Sequence, residues 1–276
     1  MQGNTIPAEG GIGTAFRAGR LDDAIAAATA SVKAKPTDVS ARVLLAEMLT
    51  FAGNFERADV LLDAAGQLDP GAAVVVAEFR QLLRAEIARR QLYRDGRVPE
   101  FLDEPGPVER SLLEAVVALR AGDTAVAAAA ADAAETARKR MAGVADGAAF
   151  EDFRDASDIT SGILEVLTTT GKYFWVPIAR VTEVTFHKPV RPRDLIWRRA
   201  SIAVASGPDG DVYVPVTYTP VAGASVDPAP GAEYRLGRAT AWSEGDGPVT
   251  GIGQREFLVG DEAVPIMELG ALRFAE

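Results

Sequence analysis

Along the first half of the chain, apolar residues recur at three- and four-residue intervals, the signature of helices with one buried face. In VSARVLLAEMLTFAGNFERADVLLDAAGQLDP (39–70), Leu45, Leu49, Phe55 and Leu62 form two apolar stripes, and small Ala46, Ala58 and Ala65 let those stripes approach closely. The spacing predicts two antiparallel helices. Gly53 stands at the turn between them, where positive φ is favoured, and Pro70 blocks continuation of the second. The same pattern occurs 34 residues earlier: GRLDDAI (19–25) matches GNFERAD (53–59), with Leu21 under Phe55, Ala24 under Ala58 and Pro36 under Pro70. The earlier unit has Pro7, Gly10, Gly11 and Gly13 at its start, which predicts a short first helix. The period then breaks. AAVVVAEFRQLLRAEIARRQLYRDG (72–96) has Ile87 where a turn glycine is due, so one longer helix is expected, and a further hairpin follows over 108–141 with its turn at AGD (121–123).

The pattern changes after GVADGAAF (143–150). SGILEVLTTTGKYFWVP (161–177) reads as a helix stopped by Gly171 and followed by an extended aromatic segment. VTEVTF (181–186) alternates as a strand, and LIWRRASIAVAS-GPDG-DVYVPVTY (195–218) reads as two strands about a Pro-Asp-Gly turn. ASVDPAPGAE (224–233) is expected to be a loop; RLGRATAW (235–242) and EAVPIMELGALRF (262–274) read as further strands around GIGQREFLVGD. The expected class is α+β: a helical-hairpin array over 1–146, then a mixed, mostly antiparallel sheet domain over 147–276.

A 34-residue helical-hairpin period resembles the tetratricopeptide repeat. By that repeat's geometry, Val43, Glu47, Thr50 and Phe51 would face a concave groove, with Phe16 and Arg17 beside them, placed to receive a partner helix. The alternative for Val43 and Phe51 is packing against the neighbouring helix pair.

Composition narrows the function classes. An apolar fraction of 48% and a charged fraction of 25% suit a folded globular chain. No apolar run is long enough to span a membrane, and MQGNTIPAEGG lacks the basic and apolar regions of a secretory signal, so a cytoplasmic location without membrane insertion is expected. The absence of Cys removes thiol catalysis, disulfides and thiolate zinc sites. The single histidine, His187, excludes a multi-histidine metal centre and leaves one candidate for a catalytic triad; its place in TFHKP reads as a strand end. GGIGTAF (10–16) and TGIGQ (250–254) lack dinucleotide-binding spacing and read as turns. A net charge of −10 opposes nucleic-acid binding. No cofactor is expected.

Two charged stretches remain as candidate chemistry. EDFRDASD (151–158) has carboxylates at Glu151, Asp152, Asp155 and Asp158. As the start of a helix it would set Glu151, Asp155 and Asp158 on one face. Such oxygens could bind a hard metal or serve a hydrolase, but no calcium-loop glycine and no second catalytic element accompany them. The favoured reading is architectural: the acids, with Arg154 between them, pair with arginines such as Arg191, Arg193, Arg198 or Arg199 and fix one segment against another. KPVRPRDLIWRR (188–199) reads as a binding patch for an acidic partner or, the favoured reading, as the complementary stretch, with Arg193, Asp194 and Arg198 in pairing roles and Trp197, like Trp175, buried.

DFRDASDITSGILEVLTTTGKYFWVPIARV (152–181), KPVRPRDLIWRRASIAV (188–204), RLGRATAW (235–242) and the RAExxR segment at 84–89 together resemble the ImpE/SciE/TagJ family, accessory proteins of the bacterial type VI secretion system. The resemblance implies a non-enzymatic protein that associates with the N-terminal helix of the small sheath subunit TssB and influences handling of the sheath by the ClpV ATPase. The family has no assigned catalytic residues. A hydrolase using the 151–158 acids, or a purely structural oligomer subunit, are the alternatives.

Overall fold

The computed structural model describes residues 11–222 and 231–275. Pro7, Gly10 and most of the expected 224–233 loop lie outside the described residues. The helical half comprises α1 (Ile12–Arg17), α2 (Leu21–Ala34), α3 (Val39–Phe51), α4 (Phe55–Leu68), α5 (Ala73–Asp95), α6 (Pro107–Arg120) and α7 (Thr124–Ala137). Local chemistry sets the helix starts. Asp38, Asn54 and Asp123 accept hydrogen bonds from the backbone N–H groups of Ala41, Arg57 and Val126, at 3.0, 3.3 and 3.1 Å. Gly53 ends the hairpin's first helix at φ 75° and Gly96 ends α5 at φ 81°, a conformation L side chains rarely adopt. GGIGTAF is mostly helical rather than a turn, since Gly13 sits inside α1.

The second half comprises β1 (Gly143–Ala145), β2 (Ala148–Phe150), β3 (Phe153–Asp155), β4 (Ile163–Leu167), β5 (Tyr173–Pro177), β6 (Val181–Phe186), β7 (Trp197–Val204), β8 (Gly210–Pro215), α8 (Ala232–Arg235), β9 (Thr240–Trp242), β10 (Gly251–Gly253), β11 (Glu256–Val259), β12 (Glu262–Pro265) and β13 (Ala271–Phe274). Among the described residues an eight-stranded sheet runs β2-β1-β13-β6-β7-β8-β4-β5, and a three-stranded sheet runs β12-β11-β3. Among the described residues the ladders between these strands are antiparallel. The sheet begins at Gly143, within the stretch assigned from sequence to the helical half.

Three segments differ from the sequence expectation. Residues 163–177 form a hairpin, not a helix and tail: Ile163 pairs with Pro177 and Leu167 with Tyr173. Every residue of β4 is buried, so both faces are covered and the strand shows no alternation to separate it from a buried helix. EDFRDASD does not start a helix. Its central residues form β3 against β11, with Phe153 and Asp155 turned inward, and a 3-10 turn follows at Asp158–Thr160. In RLGRATAW only Thr240–Trp242 is a strand; Arg235 closes α8, and Gly237 turns at φ 61°.

The largest core crosses from array to sheet. Phe79 of α5, fully buried, meets Trp197 of β7 edge-on at 5.9 Å. Phe101, in the segment after α5, meets Trp175 of β5 at 6.4 Å. That segment is fastened to β5 by Glu100, whose N–H donates to Tyr173 O at 2.9 Å and whose C=O accepts from Trp175 N at 3.0 Å. Because the two halves share one core, Phe79→Ala is expected to cost about 3–5 kcal/mol. Urea unfolding followed by helical circular dichroism and by tryptophan fluorescence should then shift together; separated transitions would mean independent halves.

Candidate functional site

Between the array and the sheet lies a buried ionic cluster built around Glu165 in the middle of β4. Arg89 of α5 grips it as a fork, Nε to Oε1 and Nη2 to Oε2, both at 3.0 Å. Tyr93, one helical turn on, donates to Oε1 at 2.9 Å. Tyr173, two residues along β5 from the cross-strand neighbour Trp175, also donates to Glu165, and Trp175 Nε1 donates to the Tyr173 hydroxyl at 2.5 Å. Arg255 enters from the loop before β11 and bridges Glu165 to Asp155. Asp155 also accepts from Tyr218 Oη at 2.8 Å and from Ser157 N at 2.9 Å. The side chains of Glu165, Asp155 and Arg255 are fully buried, and that of Arg89 is 1% exposed.

Electrostatics follow from this geometry. Burial pushes the Glu165 carboxyl upward, but Arg89, Arg255 and the hydrogen bonds outweigh it and hold the pKa at about 2. Asp155 goes the other way, since burial exceeds the pull of its one arginine. Burial raises the Tyr93 and Tyr173 phenols, so they stay protonated as donors. The neighbouring cavity, lined by Tyr93, Glu165 and Tyr218, has a volume of ≈ 10 Å³, room for about one water. With both carboxylates held by guanidinium groups, the cluster fastens α5 to β4 and to the loop before β11.

The acids of 151–158 separate to different partners. Arg138, just past α7, donates to Asp152 at 2.9 and 2.6 Å and to Glu135 at 2.7 Å. Despite some burial, the Arg138 hydrogen bonds hold the Asp152 carboxyl below its usual range. Arg154 reaches Glu135 at 2.9 Å and Asp158 at 2.7 Å, and Asp158 also accepts from Val249 N at 2.7 Å. The expected arginines of 191–199 lie elsewhere. Arg193 reaches Glu78 of α5 at 2.9 Å and lies over Phe79. Asp194 accepts from Val190 N and Arg191 N at 2.9 and 3.0 Å, closing its own turn. Trp197 Nε1 donates to Glu86 at 3.2 Å. Arg198 donates to backbone carbonyls at Ile266 and His187, and Arg199 pairs with Asp211. Among the described residues, no three His, Cys, Asp or Glu residues gather as a metal site.

The array face proposed to receive a helix is already filled. Phe16 and Phe51 meet at 4.9 Å and are buried with Leu236, while Leu195 and Ile196 pack against the same cluster. Arg238 lies over the Phe16 ring and donates to Phe16 O at 2.7 Å and Arg17 O at 3.0 Å. Thr50 is buried and donates to its own helix at Ala46 O, 2.7 Å. Val43 is partly buried against the main core, and Arg17 is exposed. Glu47, 5% exposed, faces the 192–195 turn. An open groove at these residues is therefore corrected: the C-terminal half occupies it, because the same apolar surface that suits a partner helix also suits Leu195, Ile196 and Leu236.

The family model described as ImpE protein matches residues 147–273, and a tetratricopeptide repeat model matches 15–82. The chain is 30% identical to the type VI secretion system accessory component TagJ of Pseudomonas aeruginosa, over 94% of this chain and 89% of that protein. It belongs to the ImpE/TagJ family. A Vibrio parahaemolyticus protein solved by crystallography has the same fold, with a TM-score of 0.87 and 27% identity, covering 96% of this chain and 97% of that one. Glu86, Arg89 and Tyr93 fall between the two matched ranges. No helix among the described residues is long and apolar enough to cross a membrane.

Glu165 and Arg255 escaped the sequence reading. A usable signal was present for the first: one carboxylate inside the apolar run GILEVL needs a buried partner. Replacing Glu165 with Gln strips the charge facing two buried arginines, and a loss of about 3–5 kcal/mol is expected in denaturant titration at neutral pH. The pH dependence has two opposite parts. Glu165, lowered from 4.5 to about 2, contributes stability above pH 4.5 that is lost as pH falls toward 2. At Glu47, burial outweighs Arg193 and raises the pKa from 4.5 to about 7, so its contribution is lost as pH rises from 4.5 through 7. Glu47→Gln should therefore gain up to about 3 kcal/mol over the parent at pH 8 and nothing near pH 4; equal stability curves would refute this.

Proposed function

We propose that this chain is a non-enzymatic accessory component of a bacterial type VI secretion system that binds the N-terminal helix of the small sheath subunit TssB and influences sheath handling by ClpV. The observation that carries this reading is the likeness to TagJ across nearly the whole chain. The repeat array supports a protein-binding role, since stacked helical hairpins are a common platform for peptide helices. The hydrolase alternative has little to draw on: Asp152, Asp155 and Asp158 each hold an arginine.

The filled concave face leaves two docking routes. A sheath helix could bind elsewhere on the array, or displace the Leu195–Ile196 and Leu236–Arg238 segments. Calorimetric titration with a peptide covering the TssB N-terminal helix from the same secretion cluster is expected to give saturable binding; none would overturn the sheath-helix reading. Arg238→Ala then separates the routes. It should tighten binding if the helix enters the concave face, because the competing internal contact is weakened, and leave affinity unchanged if the helix docks outside.

A further inference from the structure

A second feature lies on the opposite side of the shared core, where the segment after α5 crosses the end of β5. Two adjoining cavities of ≈ 230 and ≈ 60 Å³ meet there, and both are lined by Glu109 and Pro177. The larger has Phe101, Leu102, Pro105 and Pro177 as apolar walls, with Asp103 and Glu104 at its lining. The smaller reaches inward to Ser161. Its volume and that of its neighbour fall below the roughly 300–1,000 Å³ of sites for cofactors and drug-sized ligands, which leaves room for a single side chain.

The polar groups lining this crevice are under-partnered. Glu109 is 5% exposed and stands in the first turn of α6; among the described residues its carboxylate has no ion pair or side-chain hydrogen bond, and its oxygens keep some contact with solvent. Its Oε2 lies over the first turn of α6, 2.8 Å from where a Cβ on Gly106 would stand, so the position before the helix must stay small. Ser161 is 1% exposed, and its Oγ has no hydrogen-bond partner. A buried hydroxyl is seldom left this way, and a carboxylate with little access to bulk water favours a cation. Three cations share the lining, Arg180 in the larger cavity and Arg138 and Lys139 in the smaller, and two of them are engaged. Arg138 is held by Glu135 and Asp152. Arg180 is held by Asp103 and by Ala205 O. Lys139 is exposed at the lining of the smaller cavity and makes no ion pair among the described residues.

We infer that this crevice is a socket for an arginine side chain presented by a partner polypeptide. The apolar walls would cover the methylene stem. The guanidinium is a planar fork of five donors, matched to a carboxylate such as Glu109 and able also to reach a hydroxyl such as that of Ser161. Glu104, exposed at the lining of the larger cavity, adds a second carboxylate with no ion pair among the described residues. A hard metal ion is a poorer occupant, because the acids here do not gather as a ligand set. The inference stands apart from the identity of the partner and does not require it to be the sheath subunit.

The test is titration of the full ¹⁵N-labelled chain with N-acetyl-arginine methylamide, followed by amide chemical shifts, with N-acetyl-leucine methylamide as the apolar control. Saturable shifts confined to residues 101–109, 161–162 and 177–180, at millimolar ligand, are expected for the arginine compound only. Glu109→Gln should weaken binding about tenfold or more, as for loss of a charged hydrogen-bond partner. Glu104→Gln, on the exposed segment, gives a second readout should the first variant fold poorly, and should weaken binding less. No saturation, shifts elsewhere, equal binding of the leucine compound, or full affinity in both variants would overturn the socket. Occupation of the Glu109 carboxylate by Lys139 would appear as the first of these.

Discussion

The fold depends on a carboxylate in the wrong place for solubility and the right place for architecture. Glu165 occupies the middle of a strand buried on both faces, where an unpaired charge would be prohibitive. Its two oxygens are satisfied from two directions: Arg89 from the helical array, and Arg255 from the loop that leads into β11. Removing any one of the three would leave uncompensated charge in the interior. Replacing the cluster with apolar residues of equal volume need not be costly. The specific contribution of this ionic arrangement is relative placement: the forked geometry allows few positions of α5 against β4.

That placement makes the repeat array one packed body with the sheet, because the two share a core. Tetratricopeptide-like hairpins stack only on neighbours, and terminal units need a cap. Here the sheet provides it. Trp197 and Arg193 close over Phe79 on one side of α5, while Leu236 and Arg238 close over Phe16 and Phe51. The degraded first repeat, with a six-residue α1, has little surface of its own to hold it. The contacts from Arg238 to the carbonyls of Phe16 and Arg17 tie that short helix to the C-terminal half.

Much of this was legible in the chain and some was not, for physical reasons. The 34-residue period located α2 to α4, and the missing turn glycine at Ile87 foretold the long α5. Alternation located β6, and the Pro-Asp-Gly turn located β7 and β8. Periodicity failed at β4, where burial on both faces removes the alternating signal. It failed also at EDFRDASD, whose charges resemble a helix start although Phe153 and Asp155 point the same way, as strand residues do. A pairing role for the acids could be reasoned from composition, but the choice of arginines could not. Asp152 to Arg138 and Asp155 to Arg255 are set by tertiary distance, and in sequence the basic run at 188–199 looked just as suitable.

The same limit applies to the groove. Repeat geometry would turn Phe16, Arg17, Val43, Glu47, Thr50 and Phe51 toward one face; in the structure Phe16 and Phe51 pack with Leu236, and α3 meets the 192–195 turn. What sequence cannot express is whether that face meets another chain or its own. An apolar concave surface has no preference of this kind: any segment tethered nearby acts at a high effective concentration and occupies the surface before a free partner can. Residues 192–196 and 236–238 are such segments. A partner helix must therefore outcompete an intramolecular contact or use a surface the protein has not covered. Tethering thus turns a generic peptide groove into a structural joint, and a partner would be selected either by its ability to displace that joint or by the charged and apolar features left outside it.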